Sequence, residues 1–133
     1  MRDQREGGVD ARRLAGRRVL VAEDEFFVAQ DIALAVEDAG GSVVGPFATL
    51  ADAATALARE TPDAAVLDVD LKDGRIDPVL ARLKVLGSAV VVNTGSLLPL
   101  DPRIGAGGVL VFTKPSDPRE LVEALVERLL SKG

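Results

Sequence analysis

The sequence contains no histidine, cysteine, tryptophan or tyrosine, and its 133 residues include only four phenylalanines and one methionine. Each absence removes a class of chemistry. Without histidine or cysteine the chain cannot build a serine–histidine triad, present a thiolate nucleophile, hold a metal through imidazole or sulfur, or staple itself with disulfides. A site in this chain must run on carboxylates, hydroxyls and amines, with hard, oxygen-seeking cations as the fitting metals. Long apolar runs are also missing. None approaches the roughly 20 residues of a membrane span, and residues 1–16 lack the apolar stretch of a secretory signal. The expectation is a cytoplasmic protein with no membrane partner.

What is present suffices for a core. Hydrophobic residues make up 47% and charged residues 28%, a composition that folds, at a length suited to one domain and short for two. The net charge is −5, and residues 1–16 carry four arginines against Asp3, Glu6 and Asp10, so the rest of the chain stands at −6. An acidic body argues against a nucleic-acid partner. Residues 1–16 are polar, contain Gly7, Gly8 and Gly16 and show no apolar period. They read as a flexible leader ahead of one domain, residues 17–133.

From Arg17 onward short apolar runs alternate with helical periodicities. The runs are Val19 to Ala22, Ser42 to Val44, Ala64 to Leu67, Ala89 to Val92 and Val109 to Phe112, five short strands, of which Val19 to Ala22 and Ala64 to Leu67 are apolar throughout, the pattern of burial on both faces. Between them, apolar residues at Phe27, Val28, Ile32, Ala35, Val36 and Ala39 predict a first helix. Thr49 is placed to cap a second running to about Glu60, and a third spans about Asp77 to Leu86. Pro46 reads as a turn. Gly95 to Gly108 holds Pro99, Pro102 and further glycines, so the fourth crossover helix should be shortened or irregular. The last helix opens at Ser116 or Asp117 and runs to about Leu130. Its wide stripe of Leu121, Val122, Leu125 and Val126 either packs the sheet or, with an exposed Phe26, offers a surface for a partner or a second copy.

Five such strands joined by crossovers make a doubly wound α/β domain with a five-stranded parallel sheet. The functional crevice of that architecture lies at the carboxyl ends of the strands. Here those ends carry Glu23 and Asp24, Asp68 and Asp70, Thr94, and Lys114. Carboxylates converging at one edge repel, and a divalent cation with oxygen ligands, Mg2+ foremost, relieves the repulsion most cheaply. With the Lys114 ammonium and the Thr94 hydroxyl added, the set has the parts that hold the oxygens of a phosphoryl group during in-line transfer. Glu25, Asp63, Asp73 and Asp77 read as solvated loop acids.

Four motifs, each closing an expected strand, carry a resemblance. They are Val19-Leu20-Val21-Ala22-Glu23-Asp24-Glu25, Val66-Leu67-Asp68-Val69-Asp70-Leu71, Thr94-Gly95 and Thr113-Lys114-Pro115. From Arg17 to the C-terminus the chain resembles the receiver domain of bacterial two-component response regulators, of the stand-alone type. The resemblance implies a flavodoxin-like strand order 2-1-3-4-5 and Asp68 as the phospho-acceptor. It implies Glu23 and Asp24 as the acidic pair of a Mg2+ site, Asp24 as the direct ligand and Glu23 acting through water. Asp70 would lend its backbone carbonyl to the metal, Thr94 would bond a phosphoryl oxygen, and Lys114, ahead of a cis bond to Pro115, would pair with carboxylate or phosphate. The implied partners are a sensor histidine kinase or histidine phosphotransfer protein as donor, and an output protein. With no histidine of its own, the chain cannot be its own phosphohistidine donor. The family's fifth strand carries a switching aromatic three residues before the lysine. Val111 stands there, and Phe112 falls on the opposite face. Of the fourth-strand motif of the stand-alone subgroup nicknamed FAT GUY, only Thr94-Gly95 agrees.

The expected function is therefore Mg2+-dependent acceptance of a phosphoryl group on Asp68 and signalling by protein contact, without the turnover of an enzyme. One rival is a receiver-shaped module that binds its partner whether or not it is phosphorylated, which Val111 favours. A second is a phosphatase of the haloacid dehalogenase type, since Asp68-Val69-Asp70 also reads as Asp-x-Asp. There, however, that motif closes the first strand and the acidic pair follows the lysine, and this chain leaves no room for a cap.

Overall fold

The computed structural model describes residues 13–95 and 109–131. The five runs of the sequence form one parallel sheet. Its strands are β1 (Arg18–Ala22), β2 (Ser42–Phe47), β3 (Ala64–Leu67), β6 (Ala89–Thr94) and β7 (Leu110–Thr113), in the order β2-β1-β3-β6-β7. Two two-residue strands, β4 (Asp70–Leu71) and β5 (Gly74–Arg75), form a separate antiparallel hairpin directly after Asp68. With this hairpin set aside, the order is the expected 2-1-3-4-5 of a flavodoxin-like fold. The fourth crossover, residues 96–108, lies outside the described residues.

Alternation along each strand feeds two cores. Val19, Val21, Val66 and Val91 point to the side covered by α1 (Phe26–Asp38) and α4 (Pro118–Ser131). Leu20, Ala22, Leu67 and Val92 point to the side covered by α2 (Leu50–Leu57) and α3 (Asp77–Leu86). Both faces of the central strands are therefore dry, which is why those strands carry no polar residue until their ends. Among the described residues no helix is long and apolar enough to cross a membrane.

Four local readings need correction. Residues 1–12 of the expected leader lie outside the described residues; of the remaining four, Leu14 is fully buried in the α1/α4 core and its N–H donates to the Ala39 carbonyl at 2.7 Å. Arg13 pairs with Glu123 of α4. One leucine in a polar stretch has no period, so nothing in the sequence marked it. Phe27 does not face the core. It is 79% exposed, since five positions before Ile32 is roughly 140° around a helix. Phe26 is exposed as expected, and the two rings meet edge to face with centroids 5.4 Å apart. Pro46 does not turn the chain: β2 continues through a cis Gly45–Pro46 bond to Phe47, with a register shift against β1. An edge strand tolerates proline's missing donor, and Gly45 (φ 108°) has no room for a Cβ against the Val21 carbonyl oxygen. Finally, Leu121, Val122, Leu125 and Val126 of α4 are all buried in the α1/α4 core. That stripe packs the sheet and is no free surface for a partner.

Candidate functional site

Each site residue is set by a backbone bond that extends the parallel ladder one step past its strand. The Glu23 N–H donates to the Phe47 carbonyl at 2.9 Å, the Asp68 N–H to the Ala22 carbonyl at 2.8 Å, and the Lys114 N–H to the Thr94 carbonyl at 2.8 Å. The ends of β1, β3, β6 and β7 are thereby locked side by side. Glu23, Asp68 and Thr94 are buried there, at 3%, 5% and 4% exposure. Thr94 is the last residue of β6, in register with Thr113 beside Lys114.

Lys114 binds the acids together. Its Nζ donates to Glu23 Oε2 at 3.1 Å and to Asp68 Oδ2 at 3.2 Å, and stands 3.7 Å from Glu25 Oε1. The ammonium is also 2.9 Å from Glu23 Oε1, but off that oxygen's hydrogen-bonding direction, so Oε1 is buried without a directed donor. The Glu25 N–H donates to Glu23 Oε2 at 2.9 Å, and the Asp70 N–H to Asp68 Oδ1 at 3.3 Å.

The cost of this burial appears in the acids' protonation. Burial pushes Glu23 up to about 7, against the lowering effect of the Glu25 N–H and Lys114, with the Asp68 charge adding to the rise. Burial likewise raises Asp68, although the Lys114 charge and hydrogen bond oppose it. For Lys114, burial alone would lower the pKa, but the Glu23 hydrogen bond and the charges of Asp68 and Glu23 together leave it raised. One ammonium does not neutralise the cluster, and the site has more negative charge than it can comfortably hold.

Charge and geometry both fit a hard cation here. Glu23, Asp24 and Asp68 each bring one carboxylate oxygen to within 4.8 Å of the others, and the buried Glu23 Oε1 has no hydrogen-bond donor among the described residues beyond its ion-pair contact with Lys114. An all-oxygen donor set of this kind fits Mg2+.

The protonation shift sets a pH dependence. A carboxyl that binds its proton more tightly folded than unfolded stabilises the protein at low pH and withdraws that stability as pH rises from its ordinary value of 4.5 through about 7. Metal-free protein should lose on the order of 1–3 kcal/mol between about pH 5 and about pH 8. Scanning calorimetry with and without Mg2+ checks this. We expect Tm to fall across that window in chelator and the fall to shrink in Mg2+, which binds only the ionised acids. A metal-free Tm that is flat or rises would contradict it.

The structure brings Glu23, Asp24, Asp68 and Lys114 together as the sequence predicted, with Thr94 on the adjoining strand end. The Asp70 side chain is exposed, and it is the backbone of Asp70 that meets Asp68. Lys114–Pro115 is cis, as expected. Val111 is 44% exposed, and Phe112 packs against the α1/α4 core on the other face. Two residues escaped the sequence reading. Asn93 is buried on the floor of a cavity of about 450 Å3, between α1 and the β7–α4 connection, walled by Val28, Ile32, Lys114 and Pro115. Its Oδ1 has no hydrogen-bond partner among the described residues. Its signal was a single amide ending an apolar run. Asp73 was read as a solvated acid, yet its carboxylate accepts from the first two N–H groups of α2.

No family model and no curated protein matches the chain. Solved structures do. The chain is similar to the response regulator PhyR from Brucella abortus, with 30% identity and a TM-score of 0.73 over 95% of this chain and 52% of that one. It therefore spans about half of PhyR's length. A response regulator receiver protein from Sinorhizobium medicae WSM419 matches at 20% identity and a TM-score of 0.79, over 88% of this chain and 97% of that one. The receiver domain of a sensor histidine kinase from Pseudomonas aeruginosa PAO1 matches at 21% identity and a TM-score of 0.71, over 86% and 98%. In that structure a magnesium ion is coordinated in the active site cleft. The fold, and the strand-end set it carries, are those of the response-regulator receiver domains to which the chain is similar.

Proposed function

We propose that this receiver accepts a phosphoryl group on Asp68 in a Mg2+-dependent reaction with a phosphohistidine on a partner protein, and signals by protein contact. The observation that carries the reading is Asp68 itself. This buried carboxylate has one oxygen held by Lys114 Nζ at 3.2 Å and the other by the Asp70 N–H at 3.3 Å, beside two further acids. A surface acid needs none of these partners.

In the transfer, an ionised Asp68 oxygen forms a bond to phosphorus as the phosphorus–nitrogen bond of the phosphohistidine breaks, and the departing imidazole takes a proton from solvent. Bound by Glu23, Asp24 and Asp68, Mg2+ would neutralise charge on the phosphoryl oxygens. Lys114 supplies the second cation, and the Thr94 hydroxyl is a donor for a phosphoryl oxygen. The magnesium in the cleft of the Pseudomonas receiver supports this assignment of the acids. Hydrolysis of the acyl phosphate returns Asp68 to its free state, and in this reading the phosphorylated chain itself, rather than a released product, carries the signal. The partners of this chemistry are a sensor histidine kinase or a histidine phosphotransfer protein upstream, and a protein target downstream.

Val111 supports a second reading of the output, a partner contact insensitive to phosphorylation, because the fifth strand lacks an aromatic three residues before Lys114. Partner affinity with and without beryllofluoride separates the two, since a ligand shifts an equilibrium only through differential affinity. The primary test is incubation with Mg2+ and a small phosphodonor, followed by intact mass. One phosphate adduct that disappears when Mg2+ is chelated is expected. No adduct, or the same adduct in chelator, would overturn the reading.

A further inference from the structure

We infer that Asp73 is a positioning residue for the acidic site: its carboxylate ties the β4–β5 hairpin to the start of α2, and the hairpin in turn holds Asp70 against Asp68. This inference rests on the reading of the Glu23, Asp24 and Asp68 cluster as a cation and phosphoryl site.

α2 has a cap of its own, because the Thr49 hydroxyl accepts from the Asp52 N–H at 3.1 Å. The two amides that Thr49 does not reach are taken by a residue in the turn of the β4–β5 hairpin. The Leu50 N–H donates to Asp73 Oδ1 at 2.6 Å, and the Ala51 N–H to Asp73 Oδ2 at 3.1 Å. Those bonds hold the Asp73 carboxyl below the usual range. A helix stabilised only for its own sake needs no acceptor 23 residues along the chain.

The hairpin needs the tie more than the helix does. It has two residue pairs, Asp70 with Arg75 and Leu71 with Gly74, and an isolated hairpin of that size is not stable. Its other anchors are the Lys72 N–H to the Ala48 carbonyl at 3.3 Å, the Ile76 N–H to the Val69 carbonyl at 2.8 Å, and the buried Leu71. Gly74, at φ 144°, lets the tip approach Leu50 so closely that a Cβ would lie 3.1 Å from Leu50 Cδ1. At the hairpin's other end the Asp70 N–H reaches Asp68 Oδ1 at 3.3 Å, beyond the ordinary range for such a bond. A displacement of a few tenths of an ångström decides whether that bond exists, and with it the orientation of a carboxylate that must both ligate and attack.

The experiment measures Mg2+ affinity of the whole chain by titration in wild type, Asp73→Ala, Asp73→Asn and Thr49→Ala, with Tm recorded for each. Asp73→Ala should weaken Mg2+ roughly three- to ten-fold, the size of one cap's contribution carried to the site. Asp73→Asn, which keeps one acceptor oxygen, should fall between. Thr49→Ala should lower Tm by a comparable amount and leave Mg2+ affinity unchanged. By reciprocity, Mg2+ should slow amide exchange at Leu50 and Ala51 in wild type and not in Asp73→Ala. Unchanged Mg2+ affinity in Asp73→Ala, or equal weakening in Thr49→Ala, overturns the inference while the site reading stands. Failure of wild type to bind Mg2+ overturns both.

Discussion

Asp68→Asn is expected to take up no phosphate from any donor, and in metal-free buffer near neutral pH to melt at a higher temperature than wild type. The first half follows from chemistry. An amide is no nucleophile toward phosphorus, and in Asp68 Lys114 Nζ and a backbone N–H hold different oxygens, whereas in Glu23 both of those donors meet Oε2. The second half follows from the direction of the Asp68 shift. Burial raises its pKa despite Lys114, so the folded protein holds the ionised form less well than the unfolded chain does, and folding at neutral pH carries that difference as a cost. Asparagine keeps the shape and one carbonyl acceptor for Lys114, and it removes the charge that opposes Glu23 ionisation. Activity and stability should therefore move in opposite directions at one atom-sized change, the pattern expected where a fold holds strain for function. Intact mass reads the first effect and calorimetry in chelator the second. An adduct on Asp68→Asn would relocate the acceptor, and a lowered Tm would mean that Lys114 contributes more to ionised Asp68 than burial removes.

The parts of this structure legible in the sequence were those governed by period. Val19 to Ala22 and Ala64 to Leu67 could only be strands buried on both faces, and once they are parallel their ends must share one edge, which delivers Glu23, Asp24 and Asp68 to one place without any knowledge of angles. Lys114 was legible for the same reason. What escaped were single residues whose role is set by a distant partner. Leu14 has no periodic neighbour, and it is buried because Ala39 and α4 happen to reach it. Asp73 looks like any loop acid until α2, 22 and 23 positions earlier in the chain, is seen to begin beneath it. Phe27 failed in the opposite sense. Its hydrophobicity argued for burial, but the helix phase fixed by Ile32 and Val36 turns it to solvent, and phase outranks the preference of any one residue.

Lys114→Met tests the electrostatic balance of the site most severely. Methionine approximates the aliphatic stem but removes the ammonium that sits between Glu23 and Asp68, on a side chain only 16% exposed. Two buried acids then face each other without a cation, and removing one partner of a buried ion pair costs about 3–5 kcal/mol. Glu25, 66% exposed at 3.7 Å, adds little to the balance in wild type because water screens it. The loss should depend on pH with a definite sign. Without Lys114 to hold them down, both acids take protons more readily in the folded state than in wild type, so the variant is nearest to wild type at the acid end, about pH 5, where proton uptake offsets most of the lost charge. It should fall progressively further behind as pH rises to about pH 8. Mg2+ should recover a large part of the deficit at the upper end, since it supplies positive charge to the same oxygens, and should recover little at the lower end. Lys114→Arg should not restore wild-type behaviour, because a planar fork cannot occupy the point between Oε2 and Oδ2 that a compact ammonium fills. Calorimetry of the three proteins at both pH values, in chelator and in Mg2+, reads all of these. A Lys114→Met deficit that is independent of pH and of Mg2+ would assign the role of Lys114 to packing of its stem, and the strand-end acids would then need another source of balance.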